Sequence, residues 1–250
     1  MTAADGALVR RLAWESGFWG RPMVEVLGTT ADAVTAADHW CRTDDVAMAH
    51  LRLPAGEVGV VGHAARLGFE VLEVNVVVDR RLGGDEEPVA GLRPATAADG
   101  ERLAAIARTD LRGMTRFYRD PRFPTDRCDD LYAGWVESSI DGWADVVLVA
   151  ERDGEVVGGV TGHHGSGGEP SRVGLLVIDG ADPWRRVNVG NRLLRGVFQQ
   201  LGASGGREVT LATQAHNVAT VRLLERLGCS TRSISLQMHK WYDDPPPPEP

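Results

Sequence analysis

The chain has 250 residues, 43% of them hydrophobic and 25% charged, and a net charge of −8. Such proportions belong to a folded globular protein with one large core or two modest ones, and the acidic balance disfavours a nucleic-acid partner, because a phosphate backbone needs clustered cations. Cys41, Cys128 and Cys229 are widely separated and lack metal-ligand spacing, which argues against a disulfide framework or zinc site and for a reducing cytoplasm; no N-terminal apolar stretch reads as a signal peptide, and no run is long enough to span a bilayer.

Residues 59–67 carry a helical apolar pattern, and 69–78 alternate as a strand. Residues 80–99 then mix glycine, proline and acidic side chains without periodicity and read as a linker. The expected division is an N-terminal α/β domain over 1–85, with a packing or substrate-shaping role, and a second domain over 86–242. Past the linker, Arg116, Phe117, Tyr118, Arg119, Asp120, Arg122 and Phe123 mix cations with rings ahead of a helix that carries Trp135. Rings that stack on a base and guanidinium groups that meet phosphates suit a nucleotide, so Arg116, Tyr118, Arg119 and Trp135 are candidate substrate-binding residues. A rigid loop turned at Asp120-Pro121 and plugged by Phe123 explains Pro121 and Phe123 equally well.

A strand reading EVVGGVTGHH ends in His163 and His164. Successive strand residues face opposite sides, so one imidazole points inward, and imidazole titrates near neutral pH. The pair is the candidate general base, ahead of Glu137; a solvated pair opening the loop GSGG is the competing reading. Val173–Ile178 forms a short branched apolar run, and Leu193, Leu194, Val197, Phe198 and Leu201 lie at helical spacing over 191–201. Between them Arg185, Arg186, Asn188 and Gly190 stand ahead of the helix, where unpaired N–H groups converge at the positive end of its dipole and an anion binds readily. The order is neither a Walker loop nor a dinucleotide fingerprint, and an ordinary loop with surface arginines is the alternative. Residues 208–213 read as another strand. Asn217 opens an amphipathic helix with Val218, Val221, Leu224 and Leu227 that closes at Gly228. Arg66-Leu67-Gly68-Phe69 is echoed by Arg226-Leu227-Gly228-Cys229, which suggests that the first domain is a reduced relative of the second one's C-terminal half. The tail 243–250, DDPPPPEP, cannot form a core and is expected to be disordered.

Arg185-x-x-Asn188-x-Gly190 resembles the Arg/Gln-x-x-Gly-x-Gly/Ala turn of the GNAT acyltransferase superfamily, with Asn188 where the first glycine is usual. Asn217, Leu223 and Gly228 match that superfamily's Asn-x-x-Ala-x-x-Leu-Tyr-x-x-x-Gly-Phe helix, whereas Thr220, Leu224 and Cys229 depart from it. Residues 115–164 are similar to the Arg-Phe-x-x-Asp-Pro-x-Phe segment, Tyr-x-x-Trp helix and hairpin of the dTDP-fucosamine acetyltransferase-like branch, and residues 12–26 resemble its opening strand. The resemblance implies an α+β fold with a mixed, splayed central sheet flanked by helices, preceded by a smaller α/β domain like a truncated GNAT half. It implies acetyl-CoA or another acyl-CoA as co-substrate and no metal. The pyrophosphate would lie on Arg185, Arg186, Val187, Asn188, Val189, Gly190 and Asn191. The acyl carbonyl would meet amides near Leu176 and Val177, and the pantetheine arm would meet Gln214 and Asn217. Family members with tyrosine at the position of Leu224 use its phenol as general acid; leucine has no proton to give, which leaves Tyr118, Tyr132, His216 or water.

The expected activity is N-acetyltransfer from coenzyme A to the primary amine of a small molecule, an amino sugar nucleotide first, by direct attack in a ternary complex. The alternatives are a biosynthetic acyltransferase that takes another acyl-CoA or an acyl carrier protein's thioester to a non-sugar acceptor, and a non-catalytic ligand-binding relative. A homodimer is compatible with each.

Overall fold

The structure, a computed structural model, describes residues 8–83, 88–180 and 183–243, without the side chains of 183–187. The domain boundary expected at 85/86 and the tail from 244 onward lie outside the described residues. In chain order the elements are β1 (Val9–Arg11), α1 (Ala13–Trp19), β2 (Met23–Val26), α2 (Ala31–Thr43), β3 (Met48–Pro54), α3 (Val58–Arg66) and β4 (Glu70–Arg81). There follow β5 (Leu92–Pro94), α4 (Gly100–Asp110), α5 (Arg116–Arg119), α6 (Thr125–Ser138), β6 (Val146–Arg152), β7 (Glu155–His163) and β8 (Ser171–Ile178). The last are α7 (Pro183–Ala203), β9 (Glu208–Gln214), α8 (Val218–Arg226) and β10 (Ser230–Trp241). Two compact units result. Their described residues are 8–75, 119–122 and 233–243 in the first, and 76–118 and 123–232 in the second.

The first unit orders its strands β1-β2-β3-β10, with β2 and β3 parallel and the other pairs antiparallel. Val24, Leu51, Leu53 and Met238 are fully buried in its core. Its opening corrects the expected strand over 12–26, because Ala13–Trp19 is helical. Trp14 and Phe18, four residues apart, stack at 5.5 Å, and Gly20 closes the helix at φ 68° with its N–H on the Ser16 carbonyl. The segment 119–122 joins this unit through Asp120, which is wholly buried and accepts hydrogen bonds from His239 Nδ1 at 2.8 Å and Trp241 Nε1 at 2.9 Å. Burial pushes this carboxyl up, but those two donors outweigh it and hold it below the usual range.

The second unit orders its strands β4-β9-β8-β7-β6-β5, and within it β8 and β9 run parallel while the β5 to β8 neighbours are antiparallel. Glycines in β7 bring helices close on both faces. A Cβ at Gly162 would lie 2.7 Å from Val197 Cγ2 of α7, and one at Gly159, on the opposite face, 2.8 Å from Leu103 Cδ2 of α4. Leu193, Leu194, Val197, Phe198 and Leu201 form the fully buried stripe of α7. That helix is longer than expected and begins at Pro183, so Arg185 to Gly190 lie in its first turns rather than ahead of it. Proline suits the first helical position, since its φ is preset and its missing N–H has no partner there anyway. Asn188, unlike a glycine, lets those turns form at little cost.

The echo between the two RLG segments extends to geometry. Gly68 and Gly228 adopt φ 95° and 75°, and the following N–H groups, of Phe69 and Cys229, each bond the carbonyl five residues back, Ala64 and Leu224, at 3.0 Å.

Two glycine replacements should shift stability in opposite directions. Gly162→Ala places a methyl against Val197 and should cost about 1–3 kcal/mol. Gly134→Ala in α6 meets nothing within 4 Å and should stabilise by about 0.5–1 kcal/mol. Urea unfolding midpoints at unchanged slope are the measurement, and shifts of the same sign would contradict the packing described.

Candidate active site

The site is built on one irregularity of the second unit. β8 and β9 pair only at Ser171↔Val209 and Arg172↔Thr210, then diverge, so the β9 edge of β8 from Val173 onward faces no strand. Each backbone N–H along that stretch needs another partner or a ligand. Asp179 N–H reaches Val157 of β7 at 2.9 Å, and Leu175 N–H reaches Thr161 Oγ1 of β7 at 2.8 Å. Strand alternation therefore turns Val177 N–H toward β7 and turns Leu176 and Ile178 N–H toward the gap. Ile178 N–H is capped there by Asp110 Oδ2 at 3.0 Å. By the same alternation the Leu176 amide faces the opening and the Val177 amide faces β7.

A cavity of about 90 Å³ occupies the divergence, lined by Asp110 and Leu111 at the end of α4, Met114, Leu176, Ile178, Gln214, Asn217, Thr220 and Leu223. Its size suits a slender chain of methylenes and amides, whereas a whole drug-sized ligand needs about 300 Å³ or more. Gln214 ends β9, and Asn217 caps α8 by accepting from Thr220 N–H at 3.3 Å, so Asn217 serves both the helix and the cavity wall. Gly190 of α7 packs behind two of these wall residues: a Cβ there would lie 3.2 Å from Ile178 Cδ1 and 3.3 Å from Leu223 Cδ2. Val189 is buried in the core, while Asn188 is exposed and Asn191 half-buried. Leu224, at the position where a phenol is usual, is 1% exposed and packs in the core, while its neighbour Leu223 lines the cavity.

The two histidines separate as strand alternation requires. His164 is exposed, and its backbone N–H donates to Asp145 at 2.7 Å. His163 is 6% exposed, its ring edge-on to Trp143 at 4.5 Å, and its Nε2 has no hydrogen-bond partner among the described residues. Burial, then the positive charge of Arg172, push its pKa below the ordinary histidine value, so the ring is a neutral base at pH 7. A Cβ on Gly174 would meet Thr161 Oγ1 at 2.4 Å and His163 Nε2 at 3.1 Å. Both polar atoms thus look onto the bare backbone of Gly174, two residues and about 7 Å of strand from Leu176.

The side chains of Tyr118, Trp135 and Arg116, candidates in the 116–135 segment, have partners within the structure. Tyr118 donates to Asp129 at 2.8 Å and stacks on Tyr132 at 5.6 Å; burial and then the Asp129 carboxylate push its phenol up. Tyr132 donates to Thr115 Oγ1 at 2.5 Å, so neither phenol is available to a leaving thiolate. Trp135 packs edge-on against Phe117 and Tyr132, Arg116 lies over Phe117 at 4.0 Å, and Arg119 is exposed in the first unit. None of the four lines the cavity. Glu137 is exposed on α6 and His216 on the turn before α8. Asp110 and Thr161 were not singled out from sequence. Asp110 left a signal, because it continues the apolar stripe Leu103, Ile106, Ala107 at helical spacing, where a carboxylate needs a reason. Among the described residues no group of three or more His, Cys, Asp or Glu could hold a metal ion, and no helix is long and apolar enough to cross a membrane.

The chain is similar over 201 residues, at 25% identity, to the spore coat polysaccharide biosynthesis protein SpsD of Bacillus subtilis (strain 168), covering 79% of this chain and 68% of that one. Its fold is similar to that of a GCN5-related N-acetyltransferase from Sphaerobacter thermophilus, with TM-score 0.57, 18% identity and coverage of 89% of this chain and 73% of that one. A GCN5-related N-acetyltransferase from Kribbella flavida gives TM-score 0.55 at 14% identity, with 88% and 81% covered. The acetyltransferase (GNAT) family profile matches residues 103–229, just over half of the chain and the whole span from α4 to the end of α8. Together with the diverging strands and the helix that follows them, that match establishes the chain as a member of the GNAT acetyltransferase family, an enzyme that transfers acyl groups.

Proposed function

We propose that the protein is an N-acetyltransferase that moves the acetyl group of acetyl-CoA to the primary amine of a small molecule within a ternary complex. The observation that carries this reading is the unpaired edge of β8, where the Leu176 amide faces a narrow cavity. The pantetheine arm lies along that edge between Ile178, Gln214, Asn217 and Leu223, and the pyrophosphate meets the first turns of α7 over Arg185–Asn191, where N–H groups and the helix dipole favour an anion. Leu176 N–H donates to the thioester carbonyl oxygen and to the negative charge that grows on it. The amine nitrogen forms a bond to the carbonyl carbon, the carbon–sulfur bond breaks, and the amine proton passes through one water to His163 Nε2. The thiolate leaves without a dedicated acid, since a thiol is far more acidic than an amine and Leu224 offers no proton.

The acceptor is a small amine. An amino sugar nucleotide fits the similarity to a polysaccharide biosynthesis protein. A second reading, acylation from a carrier-protein thioester, is favoured by Asn188 in the phosphate turn, because a protein-delivered arm depends less on that turn. The N-terminal domain, residues 1–85, is proposed to have a substrate-shaping or packing role.

Calorimetry with coenzyme A and acetyl-CoA separates these readings. Micromolar binding is expected; silence with acetyl-CoA but turnover with an acyl carrier protein would replace the first reading by the second. Gly190→Leu drives a side chain into Ile178 and Leu223 and should weaken acetyl-CoA binding at least tenfold while circular dichroism stays native; retained affinity would contradict the placement of the arm. His163→Gln should lower kcat/KM by about 10²–10⁴-fold and remove the acid limb that the wild type shows below pH 6.5, where its imidazole gains a proton. The group also has a stability signature. His163 is harder to protonate folded than unfolded, so wild-type stability falls as pH drops below about 6.5, with Arg172 and His164 opposing the charge and Asp145 favouring it. The His163→Gln protein should lose less stability between pH 7 and pH 5, and identical urea midpoints across that range would count against the buried neutral ring.

A further inference from the structure

Beside His163 the second unit presents an arrangement that neither the fold nor the acetyl-CoA cavity uses. Trp143 ends the π-helical turn Ser139–Trp143 that follows α6, a turn containing Gly142 at φ 107°, and its indole is 60% exposed. One contact of that ring is the buried imidazole of His163, centroids 4.5 Å apart. Another is the guanidinium of Arg172, whose central carbon stands 5.2 Å from the indole centroid. Arg172 is exposed and has no acidic partner among the described residues. An exposed indole held in place this way is costly surface for a folded protein to present, and a guanidinium poised over it adds an anion-binding fork with nothing to bind.

We infer that Trp143 and Arg172 form the acceptor subsite, and that the acceptor is an amine on a ring whose face stacks on Trp143 and whose anionic group, a phosphate or a carboxylate, pairs with Arg172. The inference rests on the reading of His163 as base and deepens it. His163 Nε2 is nine-tenths buried, unpartnered and aimed at the bare backbone of Gly174, so an amine that gives its proton there must arrive across the Trp143 and Arg172 surface. Asp145, whose carboxylate holds His164 N–H, lies close enough to favour positive charge at His163 and so to draw an ammonium group inward. The two ends of the acceptor are thereby sorted: nitrogen toward Asp145 and His163, anion toward Arg172. Phosphate and carboxylate offer the same planar or near-planar pair of acceptor oxygens to the guanidinium, and the ring is what a sugar or an aromatic amine would supply.

The test is binding of matched probes to the full chain in the presence of coenzyme A, followed by calorimetry. Glucosamine 1-phosphate against glucosamine reports a phosphate, and 4-aminobenzoate against aniline a carboxylate. The wild type should bind the anionic member of at least one pair about tenfold or more tightly than its neutral counterpart, and the pair that shows the difference identifies the anion. Arg172→Gln should abolish that difference, Arg172→Lys should restore part of it, and acetyl-CoA affinity should stay unchanged in both. Turnover adds a second readout: Arg172→Gln should raise KM for the anionic amine, leave the KM for acetyl-CoA alone, and move the acid limb of kcat toward higher pH, because the positive charge that opposes protonation of His163 is gone. Trp143→Ala should weaken both members of the pair alike. Equal affinity of anionic and neutral members in the wild type, or a difference that survives Arg172→Gln, overturns the subsite while leaving the acetyl-CoA cavity intact. Failure of the wild type to bind acetyl-CoA at all would instead overturn the reading of the site beneath it.

Discussion

Two parallel strands that stop pairing after Arg172 create the obligation around which the second unit is arranged. A buried N–H without a partner costs about 1–3 kcal/mol, so a strand edge stripped of its ladder persists only where other groups take over. On that edge Asp110 takes the Ile178 amide, while on the opposite side, facing β7, Thr161 takes the Leu175 amide where the β7–β8 register shifts. Leu176, two residues before Ile178, lines the cavity beside that edge. The Asp110 cap ties the end of α4 to the open side of β8, and a preformed donor spends no reorganisation when charge develops on a carbonyl oxygen.

The remaining features follow from keeping that gap open and closed on the right sides. Glycines at 159 and 162 let α4 and α7 approach β7 from opposite faces, and the approach of α4 delivers Asp110 to the strand edge. Gly190 lets α7 sit against Ile178 and Leu223 without filling the cavity. Gly174 leaves the space in front of His163 and Thr161 empty, and burial with Arg172 nearby keeps that imidazole neutral. Close packing and chemistry thus use the same small residues, and neither could be relaxed alone.

Much of the second unit was legible in the sequence because its elements obey strong local rules. The apolar stripe of α7, the Asn217 cap and the left-handed Gly228 each follow from a local rule, and the family resemblance used Asn217 and Gly228 among its matching residues. The start of α7 was not legible: Pro183 and Asn188 permit helix, and permission is silent about which residue begins it. The opening helix was missed for a related reason, since the Trp14–Phe18 stack shows only once helical spacing is assumed. Strand alternation showed only that one of His163 and His164 points inward; that it is His163, and that its ring stays neutral, depends on burial, with Trp143 packed on the ring, and on Arg172, its partner across the β7–β8 hairpin. Tyr118, Trp135 and Arg116 looked like ligand contacts because aromatic and cationic residues serve packing and binding alike. The structure gives each of them a partner, Asp129, Tyr132 and Phe117, which the sequence does not show.

The most direct measurement is residue-resolved amide hydrogen exchange along β8. In the free protein the Leu176 amide should exchange much faster than that of Val177, which faces β7, and that of Ile178, which Asp110 caps; acetyl-CoA should slow Leu176 selectively. A Leu176 amide already as protected as its neighbours, or one whose exchange acetyl-CoA leaves unchanged, would contradict the placement of the thioester on the open edge of β8.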